Sequence, residues 1–400
     1  MTTLALSALI SLSTAHAQEA SEAPPSGVLG GSSGIPWASD AVRRDGTMRP
    51  WGQLQTWVTV LDQDTNPQAD PASYGDPETD PGFTLARGRF GFDGYLPMGD
   101  LTWAQVDYGL SVGIASPYDA LSEADSDVRI VDAFGRLAIM TPVGPTALSM
   151  GTQRVVLSRE ALMSSADLLF QERGLASAWL VPGRETGAVL GQALAFGDGA
   201  NAPEVLARVG AYNGNGAFFG DDDPGIMTSA RLEFSAGDTY RTWSPTGENA
   251  LGIGVGLLDN PKIATSTHAI AADVLGRFKI VTLTGELVRS TIVPTDTSIK
   301  GPAVLADTTR VGITGQLSVW IGLHDDSGLE LGSRYSSLDD ALDREDAGDV
   351  WLLHNGITWR NPVPFVDVGA GYIHRAEVHG AAVNNDTVRI WTQIRPRALR

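Results

Sequence analysis

From Trp51 almost to the C-terminus this chain repeats one pattern, in which apolar and polar residues alternate with a period of two. That period puts successive side chains on opposite faces of an extended backbone, so each segment reads as a strand with one apolar and one polar face. Leu54, Thr56, Val58 and Val60 alternate with Gln53, Gln55, Trp57 and Thr59. Phe90 and Phe92 fall opposite Arg87, Arg89 and Asp93, and Ala104, Val106, Tyr108, Leu110 and Val112 fall opposite Gln105 and Asp107. Near the end, Val311, Ile313, Leu317, Val319 and Ile321 oppose Arg310, Thr314, Gln316 and Ser318, and Val388, Ile390 and Ile394 oppose Arg389, Trp391, Gln393 and Arg395. No uninterrupted apolar run reaches about 18 residues, so no transmembrane helix is expected.

The connections alternate too. Long polar stretches (62–82, 116–127, 158–182) take turns with brief ones at 98–100, 144–146 and 361–364, although 237–249 is longer than a tight turn. Long loops at one end and short turns at the other are the pattern of a closed antiparallel transmembrane β-barrel, here of about sixteen strands. An Arg on the lipid face costs roughly 2–4 kcal/mol at the bilayer midplane. Arg87, Arg89, Arg136, Arg208, Arg231, Arg310 and Arg389 all share parity with polar residues, so none of them has to face lipid. A soluble sandwich would alternate in the same way. It would not be expected to keep so many long hairpin strands with loops so unequal at the two ends.

At the N-terminus, a short apolar core from Leu4 to Leu12 precedes Ala15-His16-Ala17, which fits a secretory signal over residues 1–17. Residues 18–50 read as a flexible lead-in, 51–396 as the barrel and 397–400 as a short tail. The net charge of −19 argues against nucleic acid as a partner. The absence of cysteine excludes a disulfide framework and a thiol nucleophile. Acidic knots such as Asp62–Asp80, Asp221–Asp223 and Asp325-Asp326 lack the spacing of a dedicated calcium loop and read as solvated turns. There is no H-E-x-x-H and no G-x-S-x-G, and His374 with His379 is weak metal geometry. His354 and Ser336 fall on neighbouring expected strands, a pairing that any large sheet produces by chance. We therefore expect no enzyme, no metal and no cofactor.

One region stands apart. Ser164-Ser165-Ala166-Asp167-Leu168-Leu169-Phe170-Gln171-Glu172-Arg173 is followed by Arg184-Glu185-Thr186-Gly187 with Gly191, and then by Val209-Gly210-Ala211-Tyr212-Asn213-Gly214-Asn215-Gly216. With Arg87, Arg89, Phe90 and Gly94, this run resembles the phosphate-selective porin O and P family of trimeric sixteen-stranded outer-membrane channels. The resemblance implies a passive channel in the outer-membrane lipid, a homotrimer, and a third loop, 158–182, folded into the lumen. A loop lying over the barrel mouth is the alternative.

Within that frame the candidate pore-lining residues are Arg87, Arg89, Arg154, Glu172, Arg173, Arg184 and Arg208. A ring of Arg favours anions, and its planar fork matches phosphate or carboxylate oxygens. Asp93, Glu172 and Glu185 lie near some of these arginines in sequence, so cross-strand ion pairs that stiffen the wall are the competing reading. Ala161, Leu162, Leu168 and Leu169 are expected to pack a short helix on the wall, with Glu172 and Arg173 facing water or each other. The expected function is diffusion of small hydrophilic solutes or inorganic anions, with phosphate preference and an unspecialised pore both open. The rival class is a secreted or surface β-rich binding protein without a pore.

Overall fold

The computed structural model describes residues 40–60, 82–114, 128–197, 202–216, 225–244, 247–295, 306–324, 327–345, 348–363, 365–379 and 386–395. The expected signal, most of the lead-in, the tail and the acidic stretches at Asp62–Asp80, Asp221–Asp223 and Asp325-Asp326 lie outside these residues.

A short helix α1 (Asp40–Asp45) leads into β1 (Thr47–Thr59), which starts a few residues before the expected boundary at 51. Gly46, at φ 73°, makes the corner between them. There follow β2 (Gly82–Tyr95), β3 (Ala104–Ile114), β4 (Val128–Thr141), β5 (Gly144–Arg154), β6 (Arg184–Ala195), β7 (Glu204–Tyr212) and β8 (Met227–Ala236). The second half is β9 (Ala250–Pro261), β10 (Thr265–Phe278), β11 (Val281–Pro294), β12 (Thr308–His324), β13 (Ser327–Asp339), β14 (Val350–Arg360), β15 (Val366–Glu377) and β16 (Thr387–Ile394). Each strand pairs antiparallel with its neighbours in sequence, and β1 pairs with β16 (Leu54 opposite Ile394, Thr59 opposite Arg389), so the sixteen strands close into one barrel.

The alternation read from the sequence sorts the two faces of the wall. Leu251, Ile253, Val255 and Leu257 of β9 and Ile313, Leu317 and Ile321 of β12 point outward, each more than two fifths exposed. Similar residues on the other strands make a continuous apolar band far larger than a soluble monomer leaves uncovered. Trp103, Phe196, Phe278 and Trp359 stand exposed at the short-turn end of this band, where amphipathic rings settle at a membrane interface. Arg289 of β11 is exposed on the outer face near the loop end, where such a charge costs only about 0–1 kcal/mol.

The third long loop, 155–183, folds into the lumen, as expected. Its helical content differs from expectation. Two short helices, α2 (Arg159–Leu162) and α3 (Leu175–Leu180), flank an irregular crossing. Ser158 caps α2 by accepting from Ala161 N–H. The Ser164 carbonyl accepts from Asp167 N–H, a tight turn that ends any helix before Leu168 and Leu169. Both leucines are nevertheless buried, at 3% and 1% exposure.

Two features of the sequence let this loop lie against the wall. On β9 every inward position from 252 to 256 is glycine, and a Cβ on Gly256 would stand 2.1 Å from the Leu157 carbonyl oxygen. Beside this flat strip sits a buried cross-brace. Arg159 bonds Asp273 at 3.0 Å and Glu233 at 2.9 Å, and Arg231 bonds Asp273 at 2.8 Å and Glu233 at 3.0 Å. Arg231 also donates to the Leu157 carbonyl at 3.0 Å. Two cations and two anions cancel, and each of the four is at most 6% exposed. Removing one partner of such a set leaves a buried charge uncompensated, which costs about 3–5 kcal/mol.

Two outcomes follow from this anchoring. Asp273→Ala is expected to lower the free energy of urea unfolding, followed by tryptophan fluorescence, by roughly 3–5 kcal/mol. An unchanged midpoint would show that the cross-brace is not what holds the loop. Gly256→Val leaves the outer face intact but expels the loop backbone. The variant is expected to keep the heat-modifiable gel migration of a folded barrel while its third loop becomes cleavable by added protease.

Candidate functional site

The loop's contacts concentrate on one side of the lumen. Ser177 donates to Glu286 of β11 at 2.6 Å, and Ala176 lies against Gly312 of β12. Thr358 of β14 donates to the Leu169 carbonyl at 3.2 Å, and Phe170 stacks on His354 of β14 at 3.7 Å between ring centres. Gln55 of β1 donates to the Ser165 carbonyl at 3.2 Å, and Gln393 of β16 to the Ala166 carbonyl at 3.2 Å. The facing arc, β2 to β7, carries most of the candidate arginines. This arc therefore faces the near edge of the loop across the barrel.

Towards the short-turn end of that arc, charges are matched. Arg49 pairs with Asp93 and Arg136 with Asp107, both at 2.9 Å. Nearer the loop end several arginines lie close together. Arg154 and Arg184 stand directly opposite each other across β5 and β6. Arg184 grips Asp132 of β4 through two contacts, at 2.7 and 3.2 Å. Arg89 and Arg154 also lie within electrostatic reach of Asp132, and Arg154 within reach of Arg173. Three guanidiniums, those of Arg89, Arg154 and Arg184, thus act on the Asp132 carboxylate, with Arg173 beside Arg154.

Two of these cations are fixed by the loop itself. Arg154 donates to the Met163 carbonyl at 2.7 Å and also to that of Ala161. Arg173 donates to the Met163 carbonyl at 2.6 Å and to that of Glu160 at 3.1 Å. Carbonyls at the end of a helix and just beyond it run out of helical donors, so the two arginines donate to them and are held in place by them.

The remaining candidates divide. Arg87 is only 6% exposed and donates at 3.0 Å to Gln55 and to the Gln171 carbonyl. Gln171, at φ 63°, adopts the left-handed conformation that turns this carbonyl toward Arg87. Glu172 does not face Arg173. Its carboxylate meets Arg389 of β16 at 2.6 Å, and its carbonyl accepts from Arg334 at 2.6 Å. Arg208 of β7 sits beside the Tyr240 ring, its guanidinium carbon 6.0 Å from the ring centre. The acids adjacent in sequence also pair elsewhere than expected, since the Glu185 carboxylate accepts from Gly216 N–H at 2.9 Å. Strand geometry explains this, because residues next to each other in sequence point to opposite faces.

Arg159, Arg231, Glu233, Asp273 and Glu286, which hold the loop, were not among the expected site residues. Arg159 lies in the loop itself, and the signal of the other four was inward parity on their strands, which Arg231 already showed. The described residues contain no cluster of His, Cys, Asp or Glu able to hold a metal ion. His374 bonds Asp386 at 2.7 Å on the outer side of β15.

No protein-family model matches the chain, and no curated protein sequence is similar to it. Solved structures do share its fold. OmpT, an outer membrane protein of Vibrio cholerae, superposes with a TM-score of 0.55 at 13% identity, covering 90% of this chain and 99% of that one. An anion-selective porin from Comamonas acidovorans gives 0.53 at 12%, covering 88% and 99%. The outer membrane channel DcaP of Acinetobacter baumannii gives 0.52 at 13%, covering 88% and 97%. At these identities the likeness establishes the fold: a closed sixteen-stranded antiparallel barrel.

Proposed function

We propose that this protein is an outer-membrane porin, a passive diffusion channel for small hydrophilic solutes that prefers anions. The observation carrying the preference is the group of Arg89, Arg154 and Arg184 acting on the Asp132 carboxylate, with Arg173 within reach of Arg154. A monovalent ion about 6 Å from one uncompensated charge changes in energy by on the order of 1–3 kcal/mol for effective dielectric constants between 80 and 20. That exceeds thermal energy, so the cluster biases which ions pass. The apolar outer band supports a membrane location, which a β-rich binding protein without a pore would leave unexplained. The anion-selective porin and the outer membrane channel among the similar structures support the same reading. OmpT has a solved trimer form, and we propose a homotrimer here as well. The one Ser/His pairing the sequence offered does not form, since His354 is stacked on Phe170 and Ser336 shares a hydrogen bond with Thr314.

Reversal potentials in planar bilayers under a salt gradient test the preference. The unaltered protein is expected to favour chloride over potassium. Arg184→Ala removes a cation and also leaves Asp132 less compensated, so it is expected to lower the chloride-to-potassium permeability ratio by about fivefold, the equivalent of roughly 1 kcal/mol. Arg89→Ala is expected to shift the ratio the same way and Asp132→Asn the opposite way. Arg87→Ala, which lies under Gln171, is expected to leave the ratio unchanged and to loosen the loop. A ratio that ignores Arg89, Asp132 and Arg184 alike would make these charges structural. Comparing chloride with phosphate in the same bilayers separates general anion preference from phosphate preference.

A further inference from the structure

The connection between β8 and β9, residues 237–249, lies at the end of the barrel where the other turns are short, such as 142–143 and 279–280. Yet it holds some of the most buried side chains outside the strands. Thr239 is 0%, Tyr240 3%, Thr242 4% and Trp243 6% exposed. Its partners lie far from its own hairpin. Trp243 stacks on Trp320 of β12 at 5.3 Å, and Arg360 of β14 sits 5.4 Å from its ring centre. Arg277 of β10 donates to the Trp243 carbonyl at 2.7 Å. From β9 to β14 is five strand spacings, about 24 Å along the wall. A turn folded against its own strands cannot span that distance, so this segment crosses the lumen.

It also meets the third loop from below. Thr242 donates to the Asp167 carbonyl at 3.2 Å, and Arg159 donates to the Thr239 hydroxyl at 2.8 Å. Tyr240 donates to Glu233 of the cross-brace at 2.7 Å. Burial pushes the Tyr240 phenol above its ordinary value, so it stays protonated and keeps donating. Ordering a residue costs about 1–2 kcal/mol of backbone entropy. A tight turn would join β8 to β9 with far less ordered chain.

We propose that residues 237–244 form a second constriction element, inserted from the short-turn end, which closes the β8–β14 side of the lumen beneath the third loop. Together the two segments confine the passage to the arginine-bearing arc, and Arg208 beside Tyr240 stands at its edge. Trp243 anchors the segment, and Tyr240 is a positioning residue that ties it to the loop. This inference rests on the channel reading above.

The test is single-channel conductance in planar bilayers. Replacing residues 238–248 with a tight Asn-Gly turn is expected to raise conductance about 1.5-fold or more, because the pore widens on its closed side. Should that variant fail to show heat-modifiable migration, Arg241→Cys gives an independent readout. The chain has no cysteine of its own, so a bulky anionic thiol reagent added on the short-turn side reaches only this position. The reagent is expected to cut conductance, and to leave the parent protein unaffected. An unchanged conductance in both arms, in a protein that does form channels, overturns the proposal. A parent protein that forms no channel overturns the porin reading, and this inference with it.

Discussion

Backbone N–H and C=O groups cannot be left unpaired in hydrocarbon, and the rest of this structure depends on that constraint. Pairing β1 with β16 removes the last free strand edge. Once the ladder is closed, the period of two does the sorting: one face of every strand meets lipid, and the other must be occupied by something that tolerates a polar surface. A sixteen-stranded barrel is too wide for its own wall side chains to fill. The interior is therefore filled by chain segments that carry polar groups inward with them.

Holding such segments in place is an electrostatic problem. The Arg159, Arg231, Glu233 and Asp273 set answers it by neutrality, with each charge contacting two opposite ones. The carbonyls of Ala161, Met163 and Gln171 answer it differently, by recruiting Arg154, Arg173 and Arg87. In the first case no net charge is left over. In the second the acceptors are neutral backbone carbonyls. Holding the loop thus draws on the same arginines, Arg154, Arg173 and Arg87, that the sequence offered for the lumen.

This division explains what the sequence could and could not disclose. Strand number and the closed barrel were legible because alternation and unequal connections are local patterns, whereas the inward third loop was legible only through the resemblance of its residues to a known family. The inward parity of Arg87, Arg89 and Arg208 was legible for the same reason. Partner choice was not. Arg184 and Glu185 are adjacent in sequence, yet one meets Asp132 and the other Gly216 N–H. Pairings of this kind depend on register across several strands and on where a long loop comes to rest. The alternating glycines of β9 look like ordinary small residues until Leu157 is seen lying on them.

The unusual length of 237–249 was visible in the sequence, but its meaning depends on a topological fact. At the loop end, a long connection reads as a surface loop or a lumen insert. At the turn end it has no such default, and two aromatic residues three apart in an otherwise polar segment need a place to be buried. An inward-facing wall residue, Trp320 of β12, provides that surface for Trp243. Neither the third loop nor the β8–β9 connection has its full set of partners without the other, which couples the two ends of the passage through Arg159, Thr239, Asp167 and Thr242.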